Sequence, residues 1–448
     1  MGTLYIDTGG SATNSGSRDA NSAALSGSAA TVAASVVSLD GTPDLSGVVT
    51  SGATQDTIYL NDATNANRKI FWITAVDDVL KTVTVDVAPT GITSSAWAIG
   101  GRHVYTKASV EGALRAGDTM IFNNSPATHS GSDFFTARTA GSSASGMVAL
   151  KGKDGVRPVI NVTDTNQCFD GGGLANQWMS NLQLDQDGAS GNVCENAGIN
   201  STFYNVKIVD GGGVGFNMDN DALRIIACEV TGCGSNAVYT GSINTIIGNY
   251  IHDGAGLGIE NGGGGNGAGS WINNVVDTMT GRGMYLSGAP TNQTQLKIIA
   301  GNTVYGCGNS GLEIDDQDQN IVLINNIFSE NGNAAGEYNV EWVNGTAERV
   351  SFHAWNVFYH SGGGGGANLS NLTVNSHVSS SEFTTDPSFT DAAGSDFSIG
   401  STSPAKAAGF PGAFLGSSST GYLDIGAVQR QEAGGGGLLQ SNLRGNFV

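Results

Sequence analysis

The sequence has little proline, few basic residues and few charges of either sign. Of its 448 residues only 8 are proline and 13% are charged, with 19 Lys and Arg against 39 Asp and Glu, which gives a net charge of −20. Such a chain repels phosphate backbones and anionic membranes, so we expect no nucleic-acid partner. No apolar run approaches the roughly 18 residues of a membrane-spanning helix, so we expect no membrane insertion.

Cysteine is also scarce. The five cysteines form no C-x-x-C pair and have no histidine at zinc-ligand spacing. We therefore predict that all five are buried core residues, and we expect no cofactor except a possible calcium ion. The first 30 residues lack the basic and apolar regions of a secretory signal, so this form of the chain should carry none.

Glycine, by contrast, is abundant, with 68 residues. It shows no triplet period, which excludes collagen. Hydrophobic residues make up 39% of the chain, enough to build a core, so general disorder is disfavoured. A glycine-rich, proline-poor chain of this kind favours short strands joined by tight corners over helices.

A repeated phrase runs through the chain from about residue 150. Each copy has an Asn, an alternating apolar strand, a Gly-rich corner and a second short strand. The steps between copies average 25 residues, and the first elements begin at Asn181, Asn205, Cys228, Asn249, Asn274, Asn302, Asn326 and Asn356. Strands this short must stack on their neighbours to bury an apolar side, which predicts a parallel β-solenoid. We expect the recurrent Asn side chains to stack as a hydrogen-bonded ladder.

The N-terminal part follows a different pattern. Alternating segments near Asp56, Lys69 and Thr82, joined by turn residues, predict antiparallel strands in a small β-domain at about 40–100. Docking to a partner is its expected role. Apolar residues spaced behind Ser109 then predict a short amphipathic helix that caps the solenoid.

Several segments resemble a known family. They are the opening Leu4-Tyr-Ile-Asp-Thr-Gly-Gly, Ser109-Val-Glu-Gly-Ala-Leu with the following Ala-Gly-Asp-Thr-Met-Ile-Phe, and a closing series from Asp386-Pro-Ser-Phe to Asp424-Ile-Gly-Ala. With the repeats, they resemble right-handed parallel β-helix proteins of the pectate-lyase-like group. The resemblance implies an all-β fold: a right-handed, single-stranded parallel β-helix with a small N-terminal β-domain and a capping helix.

The expected domains are the N-terminal strand and β-domain over 1–104, the β-helix over 105–380, a closing segment over 381–430 and a flexible Gly-rich tail over 431–448. Lys406-Ala-Ala and Val428-Gln429 depart from the family pattern and set the chain apart from secreted bacterial lyases. A β-domain inserted before the β-helix is similar to what tailed-phage virion proteins show.

The resemblance favours a structural virion protein of a tailed phage, such as a fibre, spike or decoration protein. It implies a homotrimer that contacts other virion proteins through the β-domain or the tail and binds host surface polysaccharide. The location would be the virion, or outside the cell if the protein is not viral. The alternatives are a polysaccharide depolymerase on the same scaffold and a secreted bacterial adhesin.

Stacking the second strands predicts two outward columns. One contains Tyr285, Glu313 and Asn339, of which Tyr285 and Glu313 are candidate ligand-binding residues. The other contains Glu260, Ser287, Asp315 and Glu341, whose carboxylates are candidate catalytic residues. Neighbouring rungs lie about 4.8 Å apart, so carboxylates one or two rungs apart would bracket the separations used by glycosidases. Acidic rungs produce such spacings by chance as well, which leaves a structural role open.

The densest acidic cluster is Asp315, Asp316 and Asp318, which could hold calcium. It lacks the Gly and terminal Glu of an EF-hand loop, so a solvated turn is the default interpretation. A lyase would also need a basic residue beside the carboxylates. Arg282 and Lys297 are the basic residues of this region, and neither falls in the acidic column, which disfavours a lyase.

His252-Asp253 follows a strand and could orient an imidazole for catalysis. No Ser or Cys nucleophile accompanies it in a recognisable motif. We therefore predict that His252 is a surface histidine.

Overall fold

A computed structural model describes most of the chain. The described residues are 2–11, 15–20, 23–61, 69–92, 95–101, 113–123, 127–128, 135–136, 141, 146–155, 157–162, 167–188, 190–220, 222–241, 244–262, 269–287, 296–315, 320–332, 337–343, 350–362, 369–370, 382–410 and 424–429. The chain divides into two compact units, unit 1 with Met1–Asp185 and Ala197–Thr202, and unit 2 with Gln186–Asn196 and Phe203–Val448.

Unit 1 contains a closed antiparallel barrel and short parallel sheets. Its strands are β1 Thr3–Ser11, β2 Leu25–Ala33, β3 Val36–Leu39, β4 Thr57–Leu60, β5 Ile70–Asp77, β6 Thr82–Val85, β7 Ser95–Ile99, β8 Thr119–Phe122, β9 Ala127–Thr128, β10 Phe135–Thr136, β11 Val148–Gly152, β12 Val159–Asn161, β13 Phe169–Asp170, β14 Gln177–Ser180 and β15 Gln183–Asp185. The barrel order is β2-β3-β6-β5-β4-β7, and the parallel sheets run β1-β8-β11-β14, β9-β12-β15 and β10-β13.

The barrel confirms the predicted antiparallel β-domain and extends it. The predicted strands near Asp56, Lys69 and Thr82 are β4, β5 and β6, which surround a buried core that includes Phe71 and Trp97. Two further strands of the barrel, β2 and β3, lie before residue 40, where the β-domain was expected to begin. The pattern missed β2 because its Ser, Gly and Ala residues have low β-propensity, and packing against β3 and β7 decides its conformation.

Unit 2 is a stack of parallel coils with three strands per coil. Its strands are β16 Cys194–Glu195, β17 Thr202–Tyr204, β18 Lys207–Val209, β19 Phe216–Met218, β20 Arg224–Ile226, β21 Glu229–Thr231, β22 Val238–Thr240, β23 Asn244–Ile247, β24 Tyr250–His252, β25 Ile259–Asn261, β26 Gly269–Ile272, β27 Val275–Asp277, β28 Met284–Ser287, β29 Leu296–Ala300, β30 Thr303–Tyr305, β31 Leu312–Asp315, β32 Asn320–Ile324, β33 Ile327–Ser329, β34 Val340–Trp342, β35 Val350–Ala354, β36 Val357–Tyr359, β37 Leu369–Ser370, β38 Phe389–Asp391 and β39 Asp396–Ile399.

These strands form three parallel sheets. Sheet I runs β17-β20-β23-β26-β29-β32-β35, sheet II runs β16-β19-β22-β25-β28-β31-β34-β37, and sheet III runs β18-β21-β24-β27-β30-β33-β36. Each coil adds one strand to sheet I, then to sheet III, then to sheet II. This order confirms the predicted parallel β-helix, because strands of successive coils pair in parallel with one another.

An asparagine ladder holds one corner of these coils. The side-chain amides of Asn249, Asn274, Asn302, Asn326 and Asn356 are buried, and each of the first four donates to the side-chain oxygen of the next at 2.8–3.0 Å. The same oxygen also accepts the preceding Asn's backbone N–H, as Asn302 does from Asn274 at 2.9 Å. These bonds confirm the predicted ladder for the later coils.

The prediction was wrong for Asn181 and Asn205. They stand one residue before the ladder position, with φ of 55° and 53°. In later coils this left-handed corner holds residues such as Gly248 and Asn273. Asn tolerates positive φ better than most residues, so the sequence places Asn at two adjacent positions for two different reasons. The ladder position itself holds Leu182 and Val206 in the early coils, both fully buried.

All five cysteines are free and buried, which confirms their predicted place in the core. Most of the other buried residues are aliphatic or aromatic. The ring of Phe328 stacks on that of Phe358 one coil further on, with centroids 6.0 Å apart. Inward side chains of one strand thus pack on the same position of the next.

The closing segment packs on sheet III. Strands β38 and β39 pair as a hairpin, and Phe389 and Phe397 contact the Tyr305 ring at centroid distances of 5.9 and 5.4 Å. Further on, the Ala427 backbone N–H donates to Thr303 Oγ1 at 3.0 Å. The outer side of sheet III is therefore partly covered by the chain's own later residues.

Two predicted features lie outside the described residues, namely the capping helix that begins at Ser109 and the tail over 431–448. Within the described part of the chain, no helix has the length and apolar character needed to cross a membrane.

Candidate functional site

The outer side of sheet II carries a column of acidic and aromatic residues. Strand pairing aligns Tyr239 with Glu260, Glu260 with Tyr285, Tyr285 with Glu313, and Glu313 with Glu341. We call these five residues the acidic face. Because they occupy successive rungs of one sheet, neighbouring members are about 4.8 Å apart along the stack.

This register corrects the two predicted columns. Glu260 and Glu341 belong to the column of Tyr285 and Glu313, whereas Asp315 pairs with Ser287 beside it. The predicted alignment slipped by two residues at β25 and at β34. A slip of two keeps every side chain on its expected side of the sheet but moves it to another column.

Asn339 leaves the predicted column altogether. Its side chain is fully buried, and its side-chain oxygen accepts from Asn331 Nδ2 at 3.0 Å. It is therefore part of the interior hydrogen bonding of the corner and is not available to a ligand on the acidic face.

Glu313 is the most buried member of the acidic face, with 4% of its surface exposed. Burial raises the pKa of its carboxyl group, although the ion pair with Arg282 opposes that rise. The Arg282 guanidinium also lies over the Tyr285 ring, 4.6 Å from its centroid. One cation therefore links two rungs of the face.

Arg282 corrects the expectation that no basic side chain reaches the acidic column. It is not a member of the column by strand position, but its long side chain bends onto the column from the preceding corner. Lys297, in contrast, points into the coil, where it is 4% exposed and donates to Asn261 Oδ1. Of the two, only Arg282 is placed to act at the acidic face.

Glu341 belongs to a cluster of three carboxylates. One oxygen each from Glu313, Glu337 and Glu341 can be chosen so that all lie within 4.8 Å of one another. The Ser310 hydroxyl group lies within hydrogen-bonding distance of both Glu337 and Glu341, at 2.9 and 2.7 Å. Carboxylate oxygens are ligands for hard cations, so these three residues could hold one.

Glu260 lies at the other end of the column. Its carboxyl group accepts a hydrogen bond from Asn236 Nδ2. Burial raises its pKa, while the Asn236 hydrogen bond and the charge of Arg282 oppose the rise. Since Tyr285 separates it from Glu313, these two carboxylates are two rungs, or about 10 Å, apart.

Asp315 contacts the acidic face through Tyr285. The Tyr285 hydroxyl group donates to Asp315 Oδ2 at 3.2 Å. Burial, with the nearby charge of Asp315, raises the pKa of Tyr285 to about 12, so the hydroxyl stays protonated at neutral pH. The other predicted calcium ligands, Asp316 and Asp318, lie outside the described residues.

A second polar cluster surrounds His252 on sheet III. His252 lies on the outer side of sheet III, as predicted for a surface histidine, although its side chain is only 15% exposed. Its Nδ1 lies 2.7 Å from Asp253 and its Nε2 lies 3.5 Å from Glu229, which also binds Lys207 at 2.8 Å. The imidazole stacks on Tyr250 with a centroid distance of 4.1 Å. The preceding rungs supply Glu229 and Lys207, whereas Tyr250 and Asp253 are close to His252 in sequence.

The chemistry available at the acidic face follows from these positions. Side chains that accept hydrogen bonds, one cation and tyrosine rings alternate along one side of a regular sheet. Hydroxyl-rich ligands can bond to the carboxylates and pack against the rings. The adjacent Glu313 and Glu341 also approach the roughly 5 to 5.5 Å separation of a retaining glycosidase pair.

Sequence reasoning missed several residues of this site. Asn236, Ser310 and Glu337 lie at corners, between the strands used for stacking. Their side chains reach the face only because the backbone turns there. The repeat gives no signal for them, because the corner position of Asn236 and Ser310 holds apolar residues such as Val214 and Leu257 in other coils.

A comparison with protein families agrees with this architecture. Residues 190–346 match the family described as "Right handed beta helix region". A comparison with curated protein sequences gave no significant match.

Solved structures with similar folds include the A-module of mannuronan C-5 epimerase AlgE4 from Azotobacter vinelandii, at 15% identity over 58% of this chain and 91% of that one, with a TM-score of 0.43. Pectate lyase Pel9A is 13% identical over 74% of this chain and 92% of its own, with a TM-score of 0.42. The Dettilon tailspike protein is 12% identical over 58% and 56%, with a TM-score of 0.35. The family match over residues 190–346 falls on the parallel coils of unit 2, so this part of the chain is similar to right-handed parallel β-helix proteins.

Proposed function

We propose that the acidic face binds an extended polysaccharide. The observation that carries this proposal is the single column of Tyr239, Glu260, Tyr285, Glu313 and Glu341, with Arg282 folded onto it. Repeated binding groups at a regular spacing suit a polymer of repeated units. Ring faces pack on sugar rings while carboxylates accept bonds from hydroxyl groups.

The charges of the face narrow the class of glycan. Glu260, Glu313, Glu337 and Glu341 outnumber the one cation, Arg282, that the described residues place on the face. A polyuronate or sulfated chain would be repelled, particularly by a protein with a net charge of −20. The preferred ligand is therefore a neutral or amino-sugar polysaccharide.

A glycan array read at two salt concentrations tests this proposal. We expect binding to neutral or aminated polymers, and a loss of at least about tenfold in affinity for Tyr285→Ala, because one ring contact and the Arg282 contact are removed together. Val209→Ala, on the outer side of sheet III, is the control. If the wild type binds only polyanions, or if Tyr285→Ala binds as tightly as the wild type, the proposal fails.

Hydrolysis of the bound glycan is a second candidate function, favoured by one observation. Glu313 and Glu341 are adjacent, and Glu313 has a raised pKa, as a general acid requires. Glu341, held by Ser310, would then be the nucleophile. Such a pair replaces the predicted combination of Asp315 with Glu341.

Release of reducing ends from a bound polysaccharide tests hydrolysis. We expect Glu341→Gln to abolish release while binding is retained, since the amide keeps the shape of the side chain. Asp315→Asn serves as the comparison and should retain release. A wild type that binds glycan without releasing any reducing end would exclude hydrolysis and leave the binding proposal intact.

We further propose that this glycan-binding chain is a component of a tailed-phage virion, present as a homotrimer and attached through the six-stranded barrel of unit 1. The barrel and the closing segment with its Asp386-Pro-Ser-Phe support this setting. Mass spectrometry of purified particles should find the chain at a fixed copy number. Its consistent absence from particles would contradict the virion setting.

A further inference from the structure

The outer side of sheet I differs in chemistry from the outer sides of the other two sheets. Strand pairing aligns Ile226, Ile247, Ile272, Ala300 and Ile324 in one outward column, each partly exposed. In the column beside it, Ile298 pairs with Val322. We call these seven residues the aliphatic strip.

The strip has the sequence signature of a covered surface. Strands of a parallel sheet that is buried on both sides read as continuous apolar runs, without alternation of polar residues. Ile321-Val-Leu-Ile and Ile298-Ile-Ala are such runs, with Leu323 and Ile299 turned into the core. Their outward neighbours are nevertheless partly exposed, so the described residues do not cover the second side of this sheet completely.

The closing segment does not provide that cover. Many of its described contacts lie on sheet III, where Phe397 packs on Tyr305 and Ser395 donates to Asp277 at 2.9 Å. Others lie at the corner after sheet I, where the Phe410 backbone N–H donates to Asn325 Oδ1 at 2.7 Å, and inside the last coil, where Glu382 contacts His353. The described hydrogen bonds and ring contacts of the segment do not involve the seven residues of the strip. The outer side of sheet II is charged. Among the described residues of unit 2, sheet I is thus the one sheet whose outer side is aliphatic and is also partly exposed to solvent.

We propose that the aliphatic strip is the contact between copies of this chain, which meet side by side and in parallel. The charge of the chain supports this choice of partner. Two copies, each with a net charge of −20, repel one another except where charges are absent. Of the described outward positions in β20, β23, β26, β29 and β32, only Arg224, at one end, carries a charge.

The column that contains Ile298 and Val322 indicates whether the copies are parallel or antiparallel. From Arg224 it runs through Thr245 and Ser270 to Ile298 and Val322, so it is polar at one end and aliphatic at the other. Parallel copies place aliphatic against aliphatic and polar against polar. Antiparallel copies would press the guanidinium and hydroxyl groups onto isoleucine and valine, which costs free energy if their hydrogen bonds are lost.

In a parallel arrangement, the same rung of each copy also lies at the same height along the stack. An axis that runs along the stack brings Ile247 of one copy beside Ile247 of the next, and likewise Ile272. The inference rests on the proposed homo-oligomer, but it does not depend on glycan binding.

The first experiment measures molar mass by light scattering and folding by circular dichroism. We expect the wild type to be oligomeric and Ile247→Lys/Ile272→Lys to be a folded single chain, with an increase of at least about tenfold in the dissociation constant for subunits. Asn217→Lys/Tyr239→Lys, which adds the same charge to the outer side of sheet II, should keep the wild-type mass. A monomeric wild type at high concentration would overturn both the oligomer and its interface. An unchanged mass for the strip variant would overturn the interface alone.

A second experiment tests the orientation and does not require disruption. With all native cysteines buried, Ile247→Cys should form disulfide-linked pairs of chains under mild oxidation. Antiparallel copies would place this residue opposite Ala300, two rungs or about 10 Å from its own counterpart, too far for a disulfide. Cross-links only in a mixture of Ile247→Cys with Ala300→Cys chains would therefore overturn the parallel arrangement.

Discussion

Glu313 and Glu341 are direct partners across β31 and β34, and their carboxylate oxygens come within 4.8 Å of each other. Two like charges at this distance destabilise the folded state unless a cation or a proton compensates them. Arg282 supplies the cation at Glu313, and Ser310 supplies a hydroxyl group at Glu341. The acidic face therefore holds carboxylates close together. This arrangement favours the binding of a ligand or a proton but lowers the stability of the folded state.

Removal of the Arg282 charge should increase the repulsion between Glu313 and Glu341. We expect Arg282→Gln to lower the free energy of unfolding by about 1 to 2 kcal/mol at pH 7, a value reduced from that of a fully buried pair because the arginine side chain is 32% exposed. The loss should shrink near pH 4, where Glu313 is protonated. Urea unfolding at the two pH values measures it. Arg282→Gln/Glu313→Gln should regain most of the stability, and an equally destabilised double variant would contradict the explanation.

Glu260 should make the protein less stable as pH rises. Burial raises the pKa of its carboxyl group above the ordinary 4.5, so the folded state holds the proton more tightly than the unfolded chain. Its contribution to stability is therefore greatest below pH 4.5 and is lost as pH rises through the folded pKa. We expect Glu260→Gln to be more stable than the wild type at pH 7, by less than about 1 kcal/mol because the group is partly exposed. A difference that persists at pH 4 would contradict this account.

The asparagine ladder should be far more sensitive to substitution than the corner beside it. Asn302→Ala leaves two donors of Asn274 without their acceptor and removes the donor to Asn326, at an expected cost of about 3 to 5 kcal/mol. Asn273→Gly, at an exposed left-handed corner with φ of 55°, should change stability by less than about 0.5 kcal/mol. Thermal melts of both variants measure the contrast, and equal effects would remove the distinction between ladder and corner.

His252 should titrate above its ordinary pKa of 6.5. Burial alone would lower that pKa, but the interactions with the carboxylates of Glu229 and Asp253 outweigh burial and raise it. Because the folded pKa is raised, the stabilisation is complete below about pH 6.5 and is lost as pH rises through the folded pKa. Proton NMR of the imidazole measures the shift directly. Glu229→Gln should bring the His252 pKa down, and a pKa below 6.5 in the wild type would contradict the pairing.

Local patterns in the sequence were sufficient for the architecture. A step of about 25 residues, with apolar residues alternating in short strands, indicates parallel coils because such strands cannot bury an apolar side alone. The ladder from Asn249 to Asn356 follows from the same repeat. The inward position of the cysteines follows from alternation and composition. Each of these features depends on residues that are close in sequence or repeat at a nearly constant step.

Positions along the stack could not be obtained in this way. The corners between strands vary in length, so the partner of Glu260 on the next coil was misplaced by two residues. Long side chains such as Arg282 bend onto a neighbouring rung, and His252 gains Glu229 as a partner from the neighbouring strand. By itself the sequence determined the coil, the ladder of the later coils and the side of the sheet for residues within the strands. Only the tertiary structure decided which carboxylates meet, because hydrogen bonds between strands some 25 residues apart set the register.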